Sequence, residues 1–162
     1  GGSAETVALL KKHGAKTRKE LKAEEPASKG NLKDYYLAGV KISFRESRLS
    51  SESKRLPWTG YGVDGGYPET IVQSLHVSDV SGTYFLPADM VNDLGNPRID
   101  HVQVRQRGKL LELSMSNSDG AGGYHVFFQV DPLEYRARRF VKMAIEDEHK
   151  ETHDWTSLGK RR

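Results

Sequence analysis

The chain has 162 residues, of which 29% are charged and 36% hydrophobic, with a mean hydropathy of −0.67 and a net charge of +3. That is enough for one domain of ordinary size with a polar surface, and no apolar run approaches the roughly 20 residues of a membrane span. Cysteine is absent, which excludes disulfides, thiolate catalysis and thiolate metal sites and makes a cytoplasmic setting the expectation.

Val7, Leu9 and Leu10 give the apolar stripe of a short helix near the start of the chain. His13-Gly14-Ala15 ends it, because Gly14 suits the left-handed position after a helix. Lys11 and Lys12 sit in the last turn, where cations complement the helix C-terminus. Over residues 4 to 22 this stretch resembles the second helix and closing turn of an ankyrin repeat, which is about 33 residues long. The Thr-Pro-Leu-His signature of the first half of such a repeat is missing. The resemblance implies the C-terminal end of a repeat array, and with it a partner-recognition role, since such arrays bind proteins over extended surfaces.

Residues 24–34 contain Pro26, Ser28, Gly30 and Asn31 and read as a linker. Ala38, Val40, Ile42 and Phe44 alternate with polar residues, which predicts a half-buried strand. Residues 46–68 read as loop, Ser-rich at first and then rich in glycine and aromatics. Ile71, Gln73, Leu75 and Val77 give a less regular strand, and Thr83 to Leu86 another. Pro87 to Leu94 predicts a helical turn or two before Gly95 and Pro97.

The alternation is clearest over 99–142. An Arg107-Gly108 turn would pair Val104 with Leu111 and Val102 with Leu113. Pairing Leu113 with Phe128 keeps the apolar residues of both strands on one side, and a further turn at 131–134 leads into 135–141. The expected fold class is therefore α+β: a β-rich domain at 35–142 built on an antiparallel meander, either a sandwich or an open barrel. Ankyrin-like helices at 1–23 and a linker at 24–34 would precede it, and a charged tail at 143–162 would follow.

Two groups of residues are candidates for binding. On the polar face of the meander this register places Gln103, Glu112, Gln129 and Arg136 in one cross-strand row. His101, Ser114, Phe127 and Arg138 form the next, with His125 nearby. The face reads either as a solvated surface, with Glu112 and Arg136 as charge neighbours worth little, or as a ligand or partner surface, because Phe127 and His125 need cover. The second group is Trp58, Tyr61 and Tyr67, on a loop whose rings either plug the core or stack on a ligand. The same loop contains a formal G-x-G-x-x-G at 60–65. It lacks the preceding strand and following helix that dinucleotide binding needs.

His149 and His153 have the spacing of zinc-binding histidines, but Lys150 stands where the catalytic glutamate would be, so no metal site and no cofactor is assigned. No nucleophile motif is present, and catalytic residues are not assigned. The positive excess lies mainly in residues 1–34, with eight basic and five acidic side chains. Residues 35–142 hold thirteen and twelve. That balance argues against a nucleic-acid partner. The expected function is a non-catalytic protein-interaction module attached to an ankyrin array. The alternative is a small-ligand or carbohydrate-binding β domain, hydrolytic in one version, that uses the Trp58–Tyr67 loop.

Overall fold

The computed structural model describes residues 30–117, 122–143 and 150–161. Ten strands form two antiparallel sheets. β1 (Leu32–Leu37), β2 (Val40–Arg48), β3 (Thr70–Asp79), β4 (Gly82–Phe85) and β10 (Gly159–Arg161) lie side by side in that order. The second sheet runs β5 (Gln103–Arg107), β6 (Leu110–Asn117), β7 (Tyr124–Asp131), β8 (Arg136–Met143) and β9 (Lys150–Ser157). Their inner faces share one core. Ile42, Phe44, Val72, Leu75 and Val77 from the first sheet meet Leu111, Leu113, Met115, Val126, Phe128 and Val130 from the second. This is a β-sandwich, in which each strand turns every second side chain inward.

The α+β expectation is corrected. Apart from three 3₁₀ turns of three residues each, the described residues are strand, turn and loop, with no α-helix among them. Period-two alternation governs the chain on both sides of the core. The ankyrin reading finds no support, because a repeat array needs stacked helical neighbours and the domain offers two sheets instead. Residues 4–22, which carried that reading, lie outside the described residues.

Several local expectations are also revised. β1 begins inside the stretch read as linker. Ala38, expected in a strand, sits in the two-residue turn with Gly39, at φ 53° and 77°. Positive φ at both positions is what a type I′ hairpin turn requires. The irregular pattern of β3 has a cause. Arg45 pairs with Ser74 and Glu46 with Val72, so Gln73 is an extra residue that shifts the phase. Val72 therefore turns inward and Gln73 outward.

The β5–β6 turn uses Gly108-Lys109, so Val104 pairs with Leu113 and Gln106 with Leu111. This is two residues from the expected register, and the faces are preserved because the slip is even. Leu113 does pair with Phe128. Within 143–162, β9 and β10 complete the edges of the two sheets. Their charged composition hid them: Glu151 and His153 stand opposite Val141 and Arg139, and a bulge between Ala137 and Arg139 breaks the alternation.

The short turns gather at one end of the sandwich, where Tyr135 hydrogen-bonds to Asp79 (2.8 Å) and Lys109 reaches Asp131 (3.4 Å). The long connections meet at the other end. There Tyr61 N–H donates to Asp93 O (2.7 Å), and Gly62 N–H to Gly122 O (3.1 Å).

Candidate binding face

The outer face of β5–β9 is organised in cross-strand rows. Arg105, Glu112, Gln129 and Arg138 form one row. Gln103, Ser114, Phe127, Phe140 and Thr152 form the next, and Ser116, His125 and Lys142 a third. The face brings together Glu112, His125, Phe127, Arg136 and Arg138, as the alternation requires. Two corrections follow from the register. Arg138, not Arg136, continues the Glu112 row. Phe140, which the sequence reading overlooked, stands beside Phe127 with ring centroids 6.2 Å apart. His101 is not on the face; it lies in a 3₁₀ turn next to Asp100, at 3.6 Å.

The first row is a hydrogen-bonded chain. Arg105 Nε donates to Glu112 Oε1 (2.7 Å), Gln129 Nε2 to Glu112 Oε2 (2.9 Å) and Arg138 Nε to Gln129 Oε1 (2.5 Å). Glu112 thus spans two neighbours and is only 1% exposed, whereas the Arg105 side chain is 67% exposed. The Gln129 amide, with Arg105 and Arg107 adding to it against the cost of burial, holds the Glu112 carboxyl below its ordinary range. The expectation of a loose surface charge opposite Arg136 is therefore replaced by a covered carboxylate with other partners.

Asp131, at the end of the face, follows the same logic. Burial opposes its ionisation, but the Glu134 and Leu133 N–H groups and Lys109 outweigh it and lower the pKa. Arg136 lies over it, 3.7 Å from Nε to Oδ2.

Cations and rings interleave at the β8–β9 side. The Arg138 guanidinium lies 5.2 Å from the Phe140 ring and 4.8 Å from the Trp155 ring, and Arg136 is 4.8 Å from the same indole. Such stacking holds the guanidiniums flat. Between Phe127 and Phe140 opens a small cavity of about 160 Å³, also lined by His125, Lys142, Glu151 and Thr152. Sequence reasoning missed Trp155 because it stood in an apparent tail. It missed Phe140 because the strand register was displaced.

The long-loop end holds the other candidates. Trp58 and Tyr67 line a cleft of about 360 Å³ with Pro57, Gly60, Val63, Gly65 and Gly66. The Trp58 ring lies against Gly60, where a Cβ would come within 2.5 Å of the indole. Its Nε1–H points to Tyr61 O at 3.3 Å. The Tyr67 hydroxyl contacts Lys54 O (2.7 Å) and Leu56 O (2.8 Å).

Tyr61 turns the other way, packing against the core and donating to Glu151 Oε2 at 2.5 Å. Burial, with the Glu151 hydrogen bond second, raises its pKa strongly. Beneath it Arg139, 2% exposed, clamps Asp93 (2.6 and 3.0 Å), Glu151 and the Met90 carbonyl (2.7 Å). No sequence signal pointed to Arg139, since a strand position facing the core reads as apolar. Burial alone would lower its pKa, and the two carboxylates reverse that.

The G-x-G-x-x-G stretch is a packing device. A Cβ on Gly62, at φ 104°, would meet Gly95 O at 2.2 Å. Among the described residues no group of three or more His, Cys, Asp or Glu could hold a metal ion. His153 stands in β9, 3.4 Å from Asp89, and His149 lies outside the described residues. Among the described residues no helix is long and apolar enough to cross a membrane.

The fold is thus an antiparallel β-sandwich with a basic and aromatic outer face. No protein-family model matches the chain, and no curated protein and no solved structure matches it.

Proposed function

We propose that the domain is a non-catalytic binding module that engages an anionic partner through the outer face of β5–β9. One observation carries the reading: two acids of this face, Glu112 and Asp131, are buried beneath cations, while the face's cations and rings reach its surface. Among the described residues, six basic side chains (Arg105, Arg107, Lys109, Arg136, Arg138 and Lys142) lie on the outer side of β5–β8 and their turns, against three acids, Glu112, Asp131 and Glu134, while Arg139 faces the core. Two of the three acids are at most 1% exposed. The balance of charge over 35–142 therefore does not hold on this surface. Positive potential over exposed rings favours fast, salt-sensitive association. The lack of cysteine supports a cytoplasmic setting.

The ligand-binding alternative has a cleft in its favour, flanked by Trp58 and Tyr67. Against hydrolysis, no carboxylate among the described residues lines it, and Asp93 and Glu151 are held by Arg139. Its aromatic polar groups are spent on backbone carbonyls, which leaves it few groups with which to orient a sugar.

The test is retention on an anionic polymer column. Arg107→Glu with Lys142→Glu is expected to elute at much lower salt than the parent. Lys41→Glu with Arg45→Glu, the same charge change on the other sheet, is expected to elute close to it. Equal loss for the two pairs would reduce the effect to net charge and reject the face.

A further inference from the structure

We infer that the anionic partner is single-stranded nucleic acid, with a base seated on the Phe127 and Phe140 ring pair and phosphates on Lys142, Arg138 and Arg136. This rests on the binding face proposed above and names its ligand class. Phe127 and Phe140 are cross-strand neighbours whose ring centroids lie 6.2 Å apart with their planes tilted by 44°, so together they form an angled aromatic platform. The cavity they line, about 160 Å³, is close in size to the roughly 150 Å³ cavity that holds a benzene ring.

Cations flank this ring pair along β8. Lys142 is two residues to one side of Phe140 and Arg138 two residues to the other, each about 7 Å away by strand geometry. His125 adds a ring on the Lys142 side, where its Nδ1 shares a hydrogen bond with Ser116 Oγ at 2.5 Å. Among the described residues the acid lining the cavity is Glu151, and its two oxygens are already held by Tyr61 and Arg139.

An aromatic ring pair with cations on both sides matches a nucleotide strand, which alternates planar bases with anionic phosphates. Sheet faces that bind single strands work through such stacking, which tolerates any base. Trp155, one strand further, is a second platform, with Arg136 and Arg138 against its ring. An acidic polypeptide would satisfy the cations and leave the ring pair unused. A duplex keeps its bases stacked and cannot seat one on the rings.

The test is fluorescence anisotropy of a labelled 12-nucleotide oligo-dT on the full chain between 50 and 200 mM salt. A duplex of the same length and polyglutamate serve as competitors. We expect saturable binding with a log–log salt slope near −2, from about three phosphates at roughly −0.7 each for single strands. Lys142→Gln, an exposed change, is expected to make the slope shallower by about 0.7 with no change in melting temperature. Phe140→Leu is expected to weaken binding about 5- to 100-fold, the size of one lost base stack.

Should Phe140→Leu fail to fold, photocrosslinking of a bromouracil oligonucleotide to the parent chain replaces it. Adducts on the β7 and β8 peptides support the proposal, and adducts found only elsewhere overturn it. Binding of polyglutamate but not of oligo-dT, lost in Lys142→Gln, overturns the nucleic-acid inference and leaves the anion-binding face standing. Binding of neither probe overturns both. Oligo-dT binding that is no tighter than duplex binding and indifferent to Phe140→Leu also overturns the inference.

Discussion

The outer face of β1–β4 and the outer face of β5–β8 arise from the same alternation over the same core, and they treat charge in opposite ways. On the first, Asp34 accepts a hydrogen bond from the buried Ser43 (2.6 Å). Ser74, Ser78 and Thr83 fill the neighbouring rows, and His76 lies against Phe85 with centroids 4.8 Å apart. On the second, Glu112 and Asp131 lie beneath their cations, and the arginines rest on aromatic rings. What a sheet presents to solvent is therefore decided by which charges lie underneath as well as by how many there are.

The largest way to break this comparison is to remove what the faces share. Phe128→Ala, at a core position paired with Leu113, is expected to cost roughly 3–5 kcal/mol in denaturant unfolding, because a cavity opens between the sheets. A loss under about 1 kcal/mol would mean that the two sheets do not pack as one core. Next, Arg139→Ala strips the countercharge from Asp93 and Glu151, which are about one-third exposed. Solvent screening reduces the penalty below that of a fully buried pair, to about 2–3 kcal/mol. Because Glu151 also lines the Phe127–Phe140 cavity, this change leaves a carboxylate there without its guanidinium, and anion binding at the second face should weaken in the folded fraction, which anisotropy at low temperature checks.

Smaller effects separate the faces themselves. Glu112→Ala is expected to cost about 1 kcal/mol, since Arg105 regains water and only Gln129 loses a charged acceptor. The same experiment on Asp34 probes the first face. Acid titration sharpens this further. Glu112, Asp131 and Glu151 all have carboxyl pKa values depressed in the folded chain. The stability they contribute is fully present above the unfolded carboxylate range, near pH 4, and is lost as pH falls through the lower folded values. The melting temperature should thus hold from pH 7 to about 5 and then fall. Glu112→Gln should make that fall shallower; an unchanged slope would show that the carboxylate is not held as described. The smallest expected stability effect is that of Lys142→Gln, within about 0.5 kcal/mol, as an exposed surface change.

The regular parts of the fold were legible in the residues themselves. Leu111, Leu113 and Met115 against Val126, Phe128 and Val130 left one register that buries both sets, and the pairing of Leu113 with Phe128 follows from that. Where the period was interrupted, legibility ended. The extra Gln73 in β3 and the bulge in β9 each shift the phase within a strand, and in β9 the inward residues are a glutamate and a histidine rather than apolar side chains. The α-helical reading of residues 4–22 rested on local spacing, which carries no information about what would pack on it.

By itself the sequence determined which residues of β6, β7 and β8 alternate and that Phe127 and Arg138 point away from the core. Those are local consequences of a two-residue period. Only the tertiary structure decided that β9 joins the sheet, that Arg139 is buried between Asp93 and Glu151, and that Phe140 and Trp155 complete a ring-and-cation surface. These depend on which strands become neighbours, and that is set by burying the whole core at once. The sign of charge on the binding face belongs to the same class, because a carboxylate covered by an arginine counts in the composition but is barely presented at the surface.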